Sequence, residues 1–98
     1  MSVITMPEIV SAVKPLAEKY HIQEVYLFGS YARGDAESNS DLDFLVYGGS
    51  DFKLTRIFAF AEELREALKK DVDVFEIHEV NQNSEFYENI MKERVLVA

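Results

Sequence analysis

The sequence predicts an α/β (α+β) fold, in which a mixed β-sheet of about four strands is flanked by helices. Two observations support this class. Apolar residues recur at helical spacing in several segments, and short β-prone apolar runs lie between those segments. The order of elements is helix, strand, loop, strand, helix, strand, helix, with a short edge strand at the end. Such a sheet should be covered mainly on one face, which leaves the other face free for a functional site.

The first predicted helix begins near the amino terminus. Thr5 and Glu8 have the spacing of a capping box, and apolar residues follow at helical intervals. Pro15 should kink or break this helix, because proline lacks the amide hydrogen and crowds the preceding turn. We therefore expect a discontinuity before the turn that follows.

Four segments are predicted to be strands. Residues 25–28 form a β-prone apolar run that is typical of a buried strand. Residues 41–47 alternate in polarity, as a strand with two different faces does. Residues 72–77 form the third strand, and residues 95–97 form a short strand at the edge of the sheet.

The clearest helix covers residues 52–70, where apolar side chains have the helical period and lysines lie near the carboxyl end. Asp51 or Ser50 is expected to cap its start. A last short helix is predicted over residues 84–91. Two aromatic residues lie off the main apolar stripes and are candidates for an exposed partner interface: Phe60 and Tyr87.

Composition and charge exclude several classes of protein. The 98 residues include no cysteine, which excludes disulfides, thiolate nucleophiles and thiolate zinc sites. Ten basic and eighteen acidic residues give a net charge of −8, the wrong sign for a chain that holds a nucleic-acid backbone. We expect a single cytoplasmic domain over residues 1–98, with no membrane segment and no stable nucleic-acid partner.

The run 27–34 (Leu-Phe-Gly-Ser-Tyr-Ala-Arg-Gly) carries the first part of a candidate site. Gly29 lets the backbone approach a phosphate without a β-carbon in the way, and Ser30 offers a hydroxyl and an amide at the start of the next helical turn. Gly29 and Ser30 are therefore the candidate residues for holding a triphosphate tail. Arg33 is expected to brace the loop against a carboxylate.

Aspartates at strand spacing form the second part of the candidate site. Asp41 and Asp43 project from the same face of a strand, with their Cα atoms roughly 7 Å apart. Two like charges at this spacing need a cation, and carboxylate oxygens suit Mg²⁺ or Mn²⁺. Asp73 is the best third carboxylate, because an acid buried inside the third strand would be costly unless a cation compensates it. Asp71 has the same parity but lies at the exposed end of that strand, and it ranks second.

These residues resemble the DNA polymerase β-like nucleotidyltransferase superfamily, and specifically its minimal nucleotidyltransferase (MNT, MntA-type antitoxin) branch. Residues 29–34 (Gly-Ser-Tyr-Ala-Arg-Gly) match the family's G-S-x-A-R-G signature, and residues 40–43 (Ser-Asp-Leu-Asp) match its S-D-[IL]-D signature. Residues 70–74 resemble the later strand that bears the third aspartate, and the resemblance extends over residues 9–97. It implies the polymerase β-like nucleotidyltransferase fold.

The resemblance also implies an enzyme that uses ATP as substrate and a pair of Mg²⁺ ions, or Mn²⁺, as cofactors. Asp41, Asp43 and Asp73 would be its catalytic and metal-binding residues, and Gly29 and Ser30 would hold the nucleotide. The implied partner is a HEPN-type RNase toxin. That toxin would be silenced by transfer of AMP from ATP to a hydroxyl group, for which a tyrosine is the expected acceptor.

Two other functions stay open on the sequence alone. The chain could be a binding module whose acidic surface blocks the basic cleft of an RNase without any catalysis. It could also be a nucleotidyltransferase that acts on a small molecule or on an RNA end. The intact set of aspartates favours an enzyme, and the sequence patterns leave the choice of nucleobase open.

Overall fold

A computed structural model of the chain describes residues 3–51 and 53–98. The elements are α1 (Met6–Lys19), β1 (Glu24–Phe28), α2 (Ser30–Arg33), β2 (Leu42–Tyr47), α3 (Leu54–Leu68), β3 (Val72–Glu76), α4 (Glu85–Glu93) and β4 (Val95–Leu96), with a 3₁₀ turn over Ile77–Glu79 before α4. The strands form a mixed sheet in the order β3-β2-β1-β4. β1 is antiparallel to β2 and to β4, whereas β2 and β3 are parallel. The predicted fold class, a mixed four-stranded sheet flanked by helices, is confirmed.

The two faces of the sheet are covered to different extents. α1 and α3 pack on one face, where the larger apolar cluster includes Val13 of α1, Leu64 of α3 and Phe44 of β2. On the opposite face a smaller cluster joins Ile90 of α4 to Leu45 of β2. The difference follows from the alternation of side chains along β2, since neighbouring residues point to opposite faces of a strand. The less covered face is the one that carries the candidate site.

α1 is continuous through its proline. Thr5 is the N-cap, and its hydroxyl oxygen accepts a hydrogen bond from the Glu8 amide, as the capping-box spacing predicts. The helix then runs without a break past Pro15 to Lys19, so the predicted break is wrong. Pro15 lies on the exposed side, where the carbonyl that loses its partner can bond to water. Burial of the opposite side of the helix holds both halves against the sheet.

α3 begins later than the sequence predicts. Its N-cap is Lys53, for which no side-chain capping bond is found in the described ranges, so the caps predicted at Asp51 or Ser50 are wrong. Phe52, the predicted first residue, lies outside the described residues. Burial of the apolar side of α3, more than capping, therefore sets where α3 lies. None of the helices in residues 3–51 and 53–98 has the length and apolar character needed to cross a bilayer.

The aromatic residues of α3 are placed differently from the prediction. Phe60 is fully buried, so its prediction as an interface residue is wrong, and Phe58 is 66% exposed. The buried residues of α3 have the spacing i, i+3, i+4, i+7, and Phe58 falls outside that stripe. Tyr87 of α4 is half-buried and packs against the smaller cluster.

Candidate functional site

The turn between β1 and α2 has a backbone that only glycine adopts readily. Gly29 has φ +79° and ψ −156°, a region essentially restricted to glycine. A β-carbon at Gly29 would also overlap the Oδ2 atom of Asp43 on β2. The turn predicted to hold phosphate is therefore in direct contact with one of the predicted metal ligands. Ser30, half-buried, is the first residue of α2 and follows directly.

Sheet register brings two of the predicted aspartates to one face. Asp43 is the register partner of Phe28 on β1 and of Asp73 on β3. Asp41 lies one residue before β2 and lines a separate cavity next to the end of α3, although its charge still raises the pKa of Asp43. Asp43 is half-buried, while Asp41 and Asp73 are exposed, so the expected burial of Asp73 is wrong. β3 is an edge strand of the sheet, which leaves Asp73 open to solvent on one side.

The carboxyl group of Asp43 is electrostatically disfavoured in its charged form. Its pKa is raised to about 6, first because burial penalises the charge and then because Asp73 and Asp41 repel it. Arg33 lowers the same pKa and Glu93 raises it. The three aspartates therefore share one electrostatic field, and a bound cation would relieve their repulsion.

This raised pKa predicts a pH dependence of stability. A carboxyl group with a higher pKa in the folded state stabilises the fold at low pH, and that contribution is lost as pH rises from about 4 to about 6. Asp43→Asn has no such group, so its free energy of unfolding should rise relative to that of the wild type across this window. Urea titrations of both proteins between pH 4 and pH 7, without divalent cations, measure the difference. A difference that does not change with pH would contradict the assigned environment of Asp43.

The donor set suits a divalent cation, although the ligands are not yet gathered around one point. Among the described residues, no group of three or more His, Cys, Asp or Glu side chains is arranged to hold a metal ion. The carboxylates of Asp43 and Asp73 nevertheless share one face of the sheet, the charge of Asp41 acts on Asp43, and carboxylate oxygens are the ligands that Mg²⁺ prefers. Mutual repulsion keeps uncompensated acids apart. Convergence of the three on a common cation stays a prediction.

A cavity of about 390 Å³ adjoins the glycine turn. Gly29 and Ser30 line one side of it, and Asp43 lines it from β2. α4 forms the opposite wall, where Phe86 and Asn89 line the cavity together with Glu93. The cavity therefore combines the predicted phosphate-holding turn, a predicted metal ligand and one side of α4, which no sequence pattern links to the site.

Glu93 lies in the candidate site, although no sequence pattern predicts it there. Its Oε1 atom accepts a hydrogen bond from the Gly29 amide at 3.1 Å, and both carboxylate oxygens accept from Nη1 of Arg33 at 3.2 Å. Arg33 also donates to Asp35, so the prediction that it braces the loop against a carboxylate is confirmed. Nothing in the local sequence indicates a contact between residues 64 positions apart. A phosphate that uses the Gly29 amide has to displace Glu93.

Comparison with known proteins gives the same family as the two signatures. The model of the family "Polymerase beta, Nucleotidyltransferase" matches residues 11–98. A Methanocaldococcus jannaschii protein assigned as a protein adenylyltransferase is 32% identical over 89 residues, which cover 91% of this chain and 88% of the relative. The protein adenylyltransferase MntA of Thermococcus cleftensis is 35% identical over 78 residues, covering 76% of this chain and 79% of that protein.

Solved structures share the fold. A protein assigned as a minimal nucleotidyltransferase superposes with a TM-score of 0.79 at 26% identity, covering 97% of this chain and 98% of the other. A chain from a toxin–antitoxin crystal structure with AMP-PNP gives a TM-score of 0.75 at 23% identity, covering 97% and 73%. A chain from the complex of a tri-AMPylated Shewanella oneidensis HEPN toxin with its MNT antitoxin gives a TM-score of 0.72 at 19% identity. The match covers 96% of this chain and 72% of the other. With both signatures inside the matched residues 11–98, this chain belongs to the polymerase β nucleotidyltransferase family, and MntA-type proteins are among its relatives.

Proposed function

We propose that this chain is an antitoxin that transfers AMP from ATP to a tyrosine hydroxyl of a HEPN-type RNase toxin. The observation that carries the proposal is the contact of the Gly29 turn with Asp43, whose carboxylate shares a sheet face with that of Asp73 and interacts electrostatically with Asp41. This arrangement offers a phosphate cradle next to acidic ligands. MntA relatives named as protein adenylyltransferases support the type of reaction. The match to a chain from a complex with an AMPylated HEPN toxin supports the choice of partner.

In the proposed reaction, the acceptor oxygen attacks the α-phosphorus of ATP. The bond from that phosphorus to the oxygen bridging to the β-phosphate breaks, pyrophosphate leaves, and the hydroxyl proton passes to Asp73 or to solvent. Gly29 and Ser30 hold the β- and γ-phosphates through an amide and a hydroxyl. Asp41 and Asp43 are the residues that would hold divalent cations, with Asp73 completing one site. Such cations would neutralise charge on the attacking and leaving oxygens.

Nucleotide binding in this site requires an exchange of anions. The Glu93 carboxylate already accepts from the Gly29 amide and pairs with Arg33. A triphosphate tail competes for the same amide. When it replaces Glu93 there, the Arg33 guanidinium is left beside the incoming negative charge. Arg33 thereby offsets part of the cost of bringing phosphate next to acids.

Incubation with the cognate toxin, α-labelled ATP and Mg²⁺ should label the toxin, and EDTA should abolish the labelling. The expected product carries whole AMP units by intact mass, on tyrosine by fragmentation. A toxin variant with that tyrosine replaced by phenylalanine serves as the acceptor control. Labelling that persists in EDTA, or a wild-type chain that never labels its toxin, would contradict the proposal.

A second function, neutralisation by binding alone, has its own supporting observations. Glu93 occupies the amide that phosphate needs, and the net charge of −8 suits a basic RNase cleft. A double Asp41→Asn, Asp43→Asn variant that silences the toxin without ATP, at unchanged affinity, would favour it. Transfer of AMP to a small molecule or an RNA end, in the absence of any protein partner, would instead favour the third function.

A further inference from the structure

One stripe of α4 forms a wall of the cavity along its length. Phe86, Asn89 and Glu93 line the cavity and have the spacing i, i+3, i+7, which places them on one side of a helix. Glu93 lies at the phosphate end, where it accepts from the Gly29 amide. Phe86 lies two turns earlier, about 10 Å along the helix axis. The wall thus extends from the phosphate cradle by roughly the length over which a nucleotide separates its outer phosphates from its base.

Phe86 is an exposed aromatic ring held in a fixed orientation. Its centroid lies 5.9 Å from that of Phe28 and 5.6 Å from that of Phe75, with interplanar angles of 76° and 71°. Phe28 is buried, so this packing anchors Phe86 to the sheet. Phe86 itself is still 46% exposed. A rigid, half-open ring beside a cavity is suited to stack on another planar ring.

Asn89 lies one turn from Phe86 on the cavity side and is exposed. Its carboxamide carries both a donor and an acceptor, and no residue within 3–51 and 53–98 forms a hydrogen bond with it. An asparagine amide pairs in bidentate fashion with the N6 and N7 edge of adenine. The α4 wall therefore offers a surface for stacking and an adjacent group that can read a base edge.

We propose that Phe86 and Asn89 form the nucleobase subsite of this cavity, with Phe86 stacked on the base and Asn89 selecting adenine. The inference rests on the proposed function, because it needs the triphosphate tail to be held at Gly29 and Ser30. From that anchor, the α4 stripe leads the rest of the nucleotide past Asn89 to Phe86. The same cavity is also lined by Asp43, which lies at the Gly29 end, so the proposed metal ligand and the phosphate cradle adjoin each other there.

The stacking role is tested by comparing ATP with inorganic tripolyphosphate, which has no base. Calorimetric titration with Mg²⁺ present should show that Phe86→Ala weakens ATP binding by about tenfold while tripolyphosphate binding is unchanged. Phe58→Ala is the matched control, since it removes another exposed phenylalanine from outside this cavity and should affect neither ligand. Phe86→Leu keeps apolar packing on Phe28 and Phe75 but removes the ring, so it should reproduce the effect on ATP in a folded chain.

The selectivity role is tested by the ratio of the dissociation constants for GTP and ATP. Asn89→Ala should lower this ratio by about tenfold, towards one, mainly because ATP binds more weakly. Asn83→Ala removes an exposed side-chain amide of the same type, from the loop before α4, and should leave the ratio unchanged.

The outcomes separate this inference from the proposed function. Wild-type protein that binds neither ATP nor tripolyphosphate overturns both. Wild-type binding of both ligands, with ATP affinity and selectivity unchanged in the Phe86 and Asn89 variants, overturns only the nucleobase subsite. An equal loss of affinity for ATP and for tripolyphosphate in Phe86→Leu also overturns the nucleobase subsite, because the ring would then shape the cavity and not contact the base.

Discussion

Replacing Asp43 by asparagine should lower the rate of AMP transfer by about a thousandfold or more, while the chain stays folded. Asp43 touches the turn that is proposed to hold phosphate and lies at the register position next to Asp73. Asparagine keeps the shape of the side chain but removes the charge that a divalent cation requires. Labelling of the toxin with α-labelled ATP, under single-turnover conditions, measures the loss.

Asp71→Asn is the control for this prediction. Asp71 is exposed and precedes β3, two residues from Asp73, so the change removes a neighbouring acidic charge of the same type. Its backbone carbonyl, which accepts from the Leu42 amide, is unaffected. Activity within a few-fold of the wild type is expected for Asp71→Asn. If it is as inactive as Asp43→Asn, then Asp71 belongs to the site and the assignment of Asp73 must be revised.

Asp43→Asn should also be at least as stable as the wild type near neutral pH. The charged carboxylate of the wild type is half-buried and repelled by two other aspartates, and asparagine removes both penalties. Loss of activity together with retained stability, measured by thermal unfolding, distinguishes a chemical role of Asp43 from a structural one. A variant that is inactive because it unfolds would not support the proposed chemistry.

Gly29→Ala should destabilise the chain by about 2–5 kcal/mol and abolish nucleotide binding. The backbone conformation at Gly29 would cost a residue with a β-carbon about 1–3 kcal/mol of stability. Overlap of that β-carbon with the Asp43 carboxylate adds a cost of similar size, because one of the two groups must move. Since whole domains are stable by only about 5–15 kcal/mol, the effect on the unfolding midpoint should be large.

Gly34→Ala is the matched comparison at the other end of α2. Gly34 also has a positive φ, of +83°, but a β-carbon there meets no atom within 4 Å among the described residues. Only the left-handed backbone is penalised, by about 1–2 kcal/mol. Urea unfolding of both variants measures the difference. Equal destabilisation would show that overlap with Asp43 adds no cost, and full affinity of Gly29→Ala for ATP would show that the Gly29 turn is not needed for nucleotide binding.

Sequence patterns predicted those parts of the fold that depend on local chemistry. The cap at Thr5, the strand predicted over residues 41–47 and observed over 42–47, and the turn at Gly29 follow from side-chain type and spacing within a few residues. The errors arose where packing outweighs local preference. Pro15 is tolerated inside a helix because the opposite side of that helix is buried. Phe60 is buried because the apolar stripe of α3 includes Phe60 and leaves Phe58 exposed.

The site was predictable only as far as its signatures extend. Gly29, Ser30, Asp41 and Asp43 lie in two short motifs, and the structure places the two motifs side by side. The pairing of Glu93 with Gly29 is a tertiary contact without a local sequence signal. The exposure of Asp73 depends on which strand lies at the sheet edge, which spacing along the chain does not reveal.

The pairing of β2 with β3 makes the arrangement of the acids depend on correct alignment of these two strands. A slip of β3 by one residue would turn Asp73 towards α3 and bring Val72 or Val74 next to Asp43. Arg65 opposes such a slip, because its Nη2 atom donates to the Val72 carbonyl at 2.8 Å. A misaligned chain that keeps its helices would take Val72 out of the core and lose the third proposed metal ligand. Specific activity per folded molecule is therefore a more sensitive measure of correct strand alignment here than circular dichroism.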